Sequence, residues 1–411
     1  MNRERVAVAS GVFVTLCVMG AFAILSSTMS KTPVLNPFSV ALGTPEGWSG
    51  WVAAASTIPG ILVSLPAASL SDIYGRRKFL LFAGFVFASA PFMYLLIGVW
   101  WQLILVRFYH GFATAIFVPV AEASVAELFP LKKGERISLF TAATYVGRLV
   151  APLLGAAILA ATNSGIHYTS FNVLYLVVSA AGVTAFVMSL LFFTQRRHET
   201  VVSKEKPANV IRNMFSGWRA IVLNRGAVTV SLIQACQYYA YGAIDFFLTG
   251  YLTVYLQYNI LIPGFIGTCV LLVALFVRPY VGRLSDRIGR RKPIILGCLI
   301  SALPLLVIPF ITNFVILILL AIVYGFGFAT VTAATSPLIC EVMPEGMTGT
   351  SMGFLDTTMD IGQTMGPIIS GYVLASTLGY TGVFPSLAAV ILFGGIVLAL
   401  SRGVGLKQET E

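Results

Sequence analysis

The sequence predicts an all-α polytopic membrane protein, with twelve transmembrane helices in two pseudo-symmetric six-helix bundles. Three observations predict it. The 411 residues are 57% hydrophobic and only 10% charged, where a soluble domain carries about 25% charged residues. Apolar runs of about eighteen residues or more recur along the chain, each long enough to cross a bilayer as a helix. Finally, L-S-D-I-Y-G-R-R-K at Leu70 to Lys78 returns as L-S-D-R-I-G-R-R-K at Leu284 to Lys292, 214 residues later, with seven of nine positions identical. A match at that distance marks an internal duplication.

The first half reads as spans over 5–28, 47–70, 79–99, 102–128, 137–161 and 170–194. Helix 1 follows Arg3 and Arg5 and contains Ala21-Phe22-Ala23, which mimics a signal peptide. The run is long enough to span and eleven more spans follow, so it reads as a helix. Helices 2 and 3 flank the charged hinge, and helix 4 ends at Glu127-Leu-Phe-Pro130. Helix 5 follows Lys132, Lys133 and Arg136, and helix 6 runs up to a polar stretch. The second half gives spans over 227–252, 261–283, 293–311, 314–339, 350–374 and 382–402, with the repeated hinge between helices 8 and 9. Helix 10 ends at Glu341-Val-Met-Pro344, the counterpart of the helix 4 ending at the same 214-residue offset. The expected domains are 1–194 and 226–411, joined by a linker over 195–225. Within the linker Val210, Met214, Trp218 and Ile221 recur at helical spacing. They suggest an amphipathic helix on the headgroups, or else a solvated connection.

Orientation follows from the basic residues. Of 26 Lys and Arg, 22 fall before helix 1, in the hinges, in the helix 4–5 loop, in the linker or in the tail, all on one face. Only Lys31 falls on the other, and Arg107, Arg148 and Arg278 lie inside spans. Both termini are therefore expected in the cytoplasm of a cell membrane. The net charge of +10 then belongs to the inner leaflet, not to nucleic acid. The five cysteines sit in apolar runs without paired spacing, and the three histidines, His110, His167 and His198, lack metal spacing. They receive no role, and no metal or cofactor is expected. There is no G-x-x-x-x-G-K-[ST] and no catalytic constellation. Energy must come from a gradient, and the chain is not expected to be an enzyme.

Each hinge combines a turn glycine (Gly75, Gly289), an acid at the preceding helix end (Asp72, Asp286) and paired arginines (Arg76 and Arg77, Arg290 and Arg291). Glu127 and Glu341 supply acidic partners. A loop anchored by the positive-inside rule alone is the plainer alternative. Asp, turn Gly and clustered Arg in so short a link resemble the signature of the major facilitator superfamily, and the likeness extends along the whole chain. It implies alternating access, with helices 1, 4, 7 and 10 lining a central cavity. It also implies that the hinge residues form a charge network locking the halves together when the transporter faces outward. The first copy has Ala68 where the family usually has Gly, whereas the second keeps Gly282, which suggests looser packing at the first hinge.

Helix 5 carries Gly147, Ala151, Pro152 and Gly155, and helix 11 carries Gly362, Gly366, Pro367 and Gly371. Small residues four apart let helices approach, and proline bends them. The helix 5 copy resembles the motif of the family's proton-coupled exporters, with Ala151 for the usual Gly. Arg107, four residues before Gly111, resembles the family's helix 4 Arg implicated in proton coupling. Charges inside spans are costly and so mark candidate functional sites. The proton-coupling candidates are Asp360, Asp245, Asp356, Arg107 and Glu122. Asp356 and Asp360 lie one turn apart on one face, where two carboxylates disfavour double ionisation. Arg148 and Asp360 fall near mid-membrane. Structural pairing or snorkelling is the alternative for these charges, Arg278 included. The substrate-cavity candidates are Arg148, Tyr145, Tyr238 and Tyr241. Tyr238, Tyr241 and Asp245 share one face of helix 7, suiting an amphipathic or cationic organic substrate, or else lipid contact.

The expected function is secondary transport by a monomer, with proton-coupled export of small organic compounds first. Sodium coupling stays open. The alternatives are a symporter taking up a metabolite or organic anion bound by Arg107 and Arg148, and a non-transporting membrane receptor.

Overall fold

The computed structural model describes residues 3–162, 168–195, 216–344 and 347–401. Among them every regular element is helical. The residues divide into two compact units, Met1–Thr44 with Ala55–Ile211, and Pro45–Ala54 with Arg212–Glu411.

The first unit holds α1 (Arg3–Met29), the short α2 (Leu35–Ala41), α4 (Ile58–Tyr74), α5 (Arg76–Tyr94), α6 (Trp100–Leu128), α7 (Lys133–Ala161) and α8 (Tyr168–Gln195). The second holds α3 (Glu46–Ala54), a helix α9 described over 216–223, α10 (Arg225–Gly250), α11 (Leu261–Ile288), α12 (Arg291–Val307), α13 (Phe314–Val342), α14 (Thr348–Leu374) and α15 (Gly379–Leu400). Counting α3 with α4, these reproduce the twelve expected spans: α1 and α3–α4 to α8 for helices 1 to 6, α10 to α15 for helices 7 to 12. Eight are individually long and apolar enough to cross a membrane, and the α3–α4 pair makes a ninth. The remaining three are α5, α10 and α14. α5 opens on Arg76-Arg77-Lys78, and the other two carry the Gln, Tyr and Asp side chains discussed below.

Helix 2, expected as one span over 47–70, is not one straight helix. A turn separates α3 from α4, and Glu46–Ser64 and Pro66–Tyr74 run 50° apart. Proline explains both features. Pro59 sits in the first turn of α4, where a missing N–H costs nothing. Pro66 lies inside α4 and removes a helical hydrogen bond.

Glycines set the closest helix approaches. A Cβ at Gly147 on α7 would collide with the Ala21 carbonyl of α1. In the second unit Gly362 and Gly366 of α14 meet the Ala235 and Tyr239 carbonyls of α10 in the same way. Ala21 and Ala235 are 214 residues apart, so the duplication extends to backbone contact. Around these crossings the first unit packs a core including Phe87, Phe117, Phe140 and Leu80, all buried.

One further expectation is corrected. Gly282 has nothing within 4 Å of an added Cβ, so close packing is not what requires Gly at the second hinge. Of the expected linker stripe, the described Trp218 and Ile221 pack on protein. Trp218 packs edge-on against Phe354 of α14, with centroids 5.7 Å apart, and Ile221 is fully buried. Burial against a helix removes more apolar surface than the interface would. Asn224 then ties α9 down: its Nδ2 donates to the Val342 carbonyl at 3.0 Å, and its Oδ1 caps α10 by accepting from Ala227 N at 3.1 Å. Val210 and Met214 lie outside the described residues.

Candidate functional site

The two hinges form the same charge network, each within its own unit. Gly75 and Gly289 take positive φ, 94° and 85°, a conformation that favours glycine, so the chain reverses within one residue. The reversal drops Arg76 back onto the helix it has just left. Arg76 contacts Asp72 at 2.5 Å and Glu127 at 2.8 Å, and its Nη1 donates to Ser71 Oγ at 3.3 Å. Arg290 pairs likewise with Asp286, with Glu341 at 2.9 Å and with Ser285 Oγ at 2.6 Å. One arginine thus ties two helix ends, α4 to α6 and α11 to α13. In the second copy the neighbouring arginine adds a third helix. Arg291 Nη2 donates to the Ala399 carbonyl at the end of α15, at 2.7 Å.

The small-residue motifs sit at the crossings already described. Pro152 is buried inside α7, and a Cβ at Gly155 would meet Met29 at 3.2 Å. The Pro367 carbonyl faces Gly50 of α3 closely enough that a Cβ at Gly50 would collide with it.

In the first unit a buried polar cluster surrounds Arg107, which is 2% exposed. Its Nη2 donates to Ser56 Oγ at 2.6 Å, and Tyr94 is a further hydrogen-bond neighbour. The Tyr94 hydroxyl lies 3.4 Å from His110 Nδ1. The Tyr94 ring stacks on Tyr175, 4.4 Å apart and parallel within 1°. Arg107 Nε, His110 Nε2 and the Tyr175 hydroxyl are buried without hydrogen-bond partners among the described residues. No Asp or Glu occurs between Met29 and Gly43, between Ala55 and Leu70, between Lys78 and Phe112, or between Val150 and Val178. The cluster is therefore cationic. Glu122 and Arg148 stand apart from it. Glu122 is half-buried on α6, and Arg148 is exposed on α7 with its guanidinium 5.9 Å from the centre of the Tyr145 ring.

In the second unit α10 and α13 build an aromatic face. Tyr241 stacks on Phe328 at 4.8 Å. Tyr238 meets both edge-on, at 5.3 Å from Phe328 and 5.9 Å from Tyr241. Tyr324 lies 6.2 Å beyond Phe328, near-parallel to it. Asp245, one turn past Tyr241, is close enough to Tyr324 to interact with it electrostatically. Tyr238, Tyr241 and Asp245 are half-buried, while Tyr324 and Phe328 behind them are 2% and 3% exposed.

On α14 the residues Asp356, Asp360, Pro367 and Gly371 fall four, seven and four apart, which is one helical stripe. Its Gly371 end is covered by α3, where a Cβ on Gly371 would lie 2.8 Å from Gly50 N. Trp51 Nε1 on α3 donates to Tyr372 Oη at 3.1 Å. The other end of the stripe is open: Asp360 is half-buried and Asp356 exposed, and the two carboxylates interact electrostatically.

Sequence reasoning picks out Arg107, Tyr238, Tyr241 and Asp245 but passes over Tyr94, His110, Tyr175, Tyr324 and Phe328. A signal is present. At the 214-residue offset Lys31 answers to Asp245, His110 to Tyr324, Thr114 to Phe328 and Arg107 to Ala321. The residues that build the two clusters are those at which the two halves disagree.

The chain matches the family model described as Major Facilitator Superfamily over residues 9–255 and 230–409. It is 25% identical over 370 residues to an uncharacterized MFS-type transporter of Methanocaldococcus jannaschii, covering 89% of this chain and 92% of that one. It is 28% identical over 356 residues to multidrug resistance protein MdtG of Citrobacter koseri, covering 85% and 83%. Among solved structures, a bacterial homologue of the human lysosomal transporter Spinster aligns with a TM-score of 0.76 at 16% identity over 97% of this chain and 96% of that one. The nucleoside transporter NupG aligns at 0.71 with 13% identity over 95% and 100%. The human organic anion transporter MFSD10 aligns at 0.62 with 17% identity over 97% and 100%.

Proposed function

Because this chain belongs to the Major Facilitator Superfamily and is a multi-pass membrane transporter, we propose that it exports small organic compounds in exchange for protons. The observation that carries the proposal is the α14 stripe, with two carboxylates at its open end and α3 sealing the other. Acids inside membrane spans are the usual sites of proton relays. In this reading Asp360 carries the proton, Asp356 shapes its affinity, and Asp245 serves as the second acid. Glu122 and Arg107 stand as accessory coupling groups. The hinge networks latch the two halves when the transporter faces outward, and the hinge end lies at the cytoplasm with both termini. The similarity to multidrug resistance proteins supports the direction of transport.

The test is flux in proteoliposomes with an imposed pH gradient. Uphill substrate movement driven by the gradient, insensitive to sodium and lost in Asp360→Asn, is the expected result. Flux indifferent to pH refutes proton exchange.

A second reading is uptake of an organic anion by symport. It is favoured by the Arg107 cluster, a buried cation among Tyr94, His110 and Tyr175 with no acid in the flanking segments. Arg148 and Tyr145 would then complete the path. Concentrative uptake of a carboxylate probe that is lost in Arg107→Ala would establish it.

A further inference from the structure

The hinge end of α11 carries a surface that neither the hinge network nor the transport reading uses. Of the eight individually apolar spans, α11 is the least covered by protein. Its exposed residues recur one turn apart and form a single stripe: Phe276, Tyr280, Arg283 with Leu284, and Arg287 with Ile288. Ala274, Val281 and Ser285 are buried on the side away from it. Phe276 and Tyr280 are 64% and 71% exposed. Large apolar side chains left open along a membrane span meet acyl chains rather than water.

The first unit keeps the apolar part of this stripe and lacks its charge. Leu62 and Tyr74 stand at the positions of Phe276 and Ile288 and are exposed too. Ser69 and Ile73 stand at the positions of Arg283 and Arg287. The same scaffold therefore folds and forms its hinge without these two arginines.

Nothing packed on α11 compensates them. Arg283 and Arg287 form no ion pair among the described residues, and the nearby acids, Asp286 and Glu341, pair with Arg290. Glu341 is the one charged side chain on α13, while α12 brings Arg291 and Lys292. On α10, Arg225 lies at the hinge end, where Asn224 is bonded to the Val342 carbonyl, and Asp245 lies twenty residues further along. The 251–255 segment brings no charge, and α11 itself adds only Arg278. The local field is therefore positive. Two arginines one turn apart on an exposed helix repel each other, and a phosphodiester between them replaces that repulsion with forked, charge-assisted hydrogen bonds.

The spacing selects the kind of phosphate. Eleven residues separate Phe276 from Arg287, a rise of about 16 Å, close to one leaflet of hydrocarbon. With the arginines at the headgroups, the rings lie along an acyl chain. A soluble anion would use the arginines and leave the rings idle. A zwitterionic lipid would bring its own cation up to the arginines.

We propose that this stripe binds an anionic phospholipid of the leaflet at the hinge end, with its phosphate between Arg283 and Arg287 and an acyl chain along Tyr280 and Phe276. The site does not depend on the direction of transport or on the coupling ion.

Native mass spectrometry of the purified full-length protein in detergent counts bound lipid directly. Phosphatidylglycerol and phosphatidylcholine with identical acyl chains serve as probes. Phosphatidylglycerol is expected to bind at least about tenfold more tightly, the scale of two cations near one anionic headgroup. Arg283→Ala combined with Arg287→Ala should remove that preference. Lys132→Ala combined with Lys133→Ala takes the same charge from exposed positions elsewhere and should bind as the parent does. A large excess of glycerol phosphate should leave the lipid in place. Monodisperse elution checks that each variant is folded, and the paired glutamine substitutions replace the alanines at Arg283 and Arg287 if those do not fold. Equal binding of the two lipids overturns the proposal, as does a parental preference in the arginine variant. An equal loss in the lysine variant assigns the binding to net charge, and displacement by glycerol phosphate assigns it to a soluble anion; either result refutes the lipid site.

Discussion

Arg290 Nε donates to one oxygen of Glu341 at 3.0 Å, and its Nη2 lies 2.9 Å from the same oxygen. The guanidinium is largely buried while Glu341 is open to solvent. The fork geometry, not the bare charge, holds the end of α11 to the end of α13. Arg290→Lys keeps the charge and loses the second donor. It should destabilise the purified protein by about 1 kcal/mol, the modest figure appropriate to a half-exposed pair. An unchanged thermal midpoint in both Arg290→Lys and Arg290→Ala would show that the contact contributes nothing.

Asp72→Asn removes an acid that Arg76 touches at 2.5 Å. If the hinge network latches the outward-facing state, this variant populates that state less. Labelling of a cysteine placed on the non-cytoplasmic side reads the population directly. Identical labelling rates with and without the substitution would dismiss the latch.

Gly366 leaves no room for a side chain beside the Tyr239 carbonyl, whereas Gly282 faces open space. Gly366→Ala must push α14 away from α10, at a cost of about 1–3 kcal/mol typical of overpacking. Gly282→Ala should be neutral or slightly stabilising, since alanine favours the helix by about 1 kcal/mol. Thermal unfolding of the two variants side by side decides, and equal stability would mean that α10 and α14 separate without penalty.

Asp360→Asn should abolish uphill transport driven by a pH gradient and leave downhill substrate exchange intact. Asp245→Asn should instead weaken substrate binding. If uphill flux survives in Asp360→Asn and disappears in Asp245→Asn, the proton belongs to α10.

A tag at the C-terminus should be reached by antibody only after permeabilisation, given 22 basic residues on one face against Lys31 on the other. Staining of intact cells reverses the orientation.

The fold is legible in the sequence because hydrophobic period and the repeated hinge are local signals. Asp72, Gly75, Arg76 and Glu127 lie at helix ends, where short-range rules decide their geometry. The site is legible only in part. Tyr238, Tyr241 and Asp245 share one helix face and can be grouped by spacing, but Phe328 and Tyr324 join them from a helix some eighty residues downstream, through packing that no periodicity encodes. Tyr94, His110 and Tyr175 are hidden for the same reason, and their polarity looks ordinary until burial removes the water. The break in helix 2 escapes a sequence reading because Pro59 and Pro66 are each tolerated within membrane helices. The burial of Trp218 and Ile221 is not legible because the same pattern satisfies a lipid interface and a protein groove.

Residues 46–54 belong structurally to the second unit although the ribosome makes them near the start of the first. Their partner α14 begins at Thr348, so about 300 residues must be synthesised before α3 finds the surface it covers. During that interval Gly50 and Trp51 lack the α14 backbone and the Tyr372 hydroxyl that they later meet. The second unit therefore cannot mature by domain-wise folding alone, the usual course for a growing chain. A second half expressed separately from residue 212 onward would emerge with the Gly371 end of α14 bare, and adding back a peptide spanning 45–57 is the complementation that would restore it.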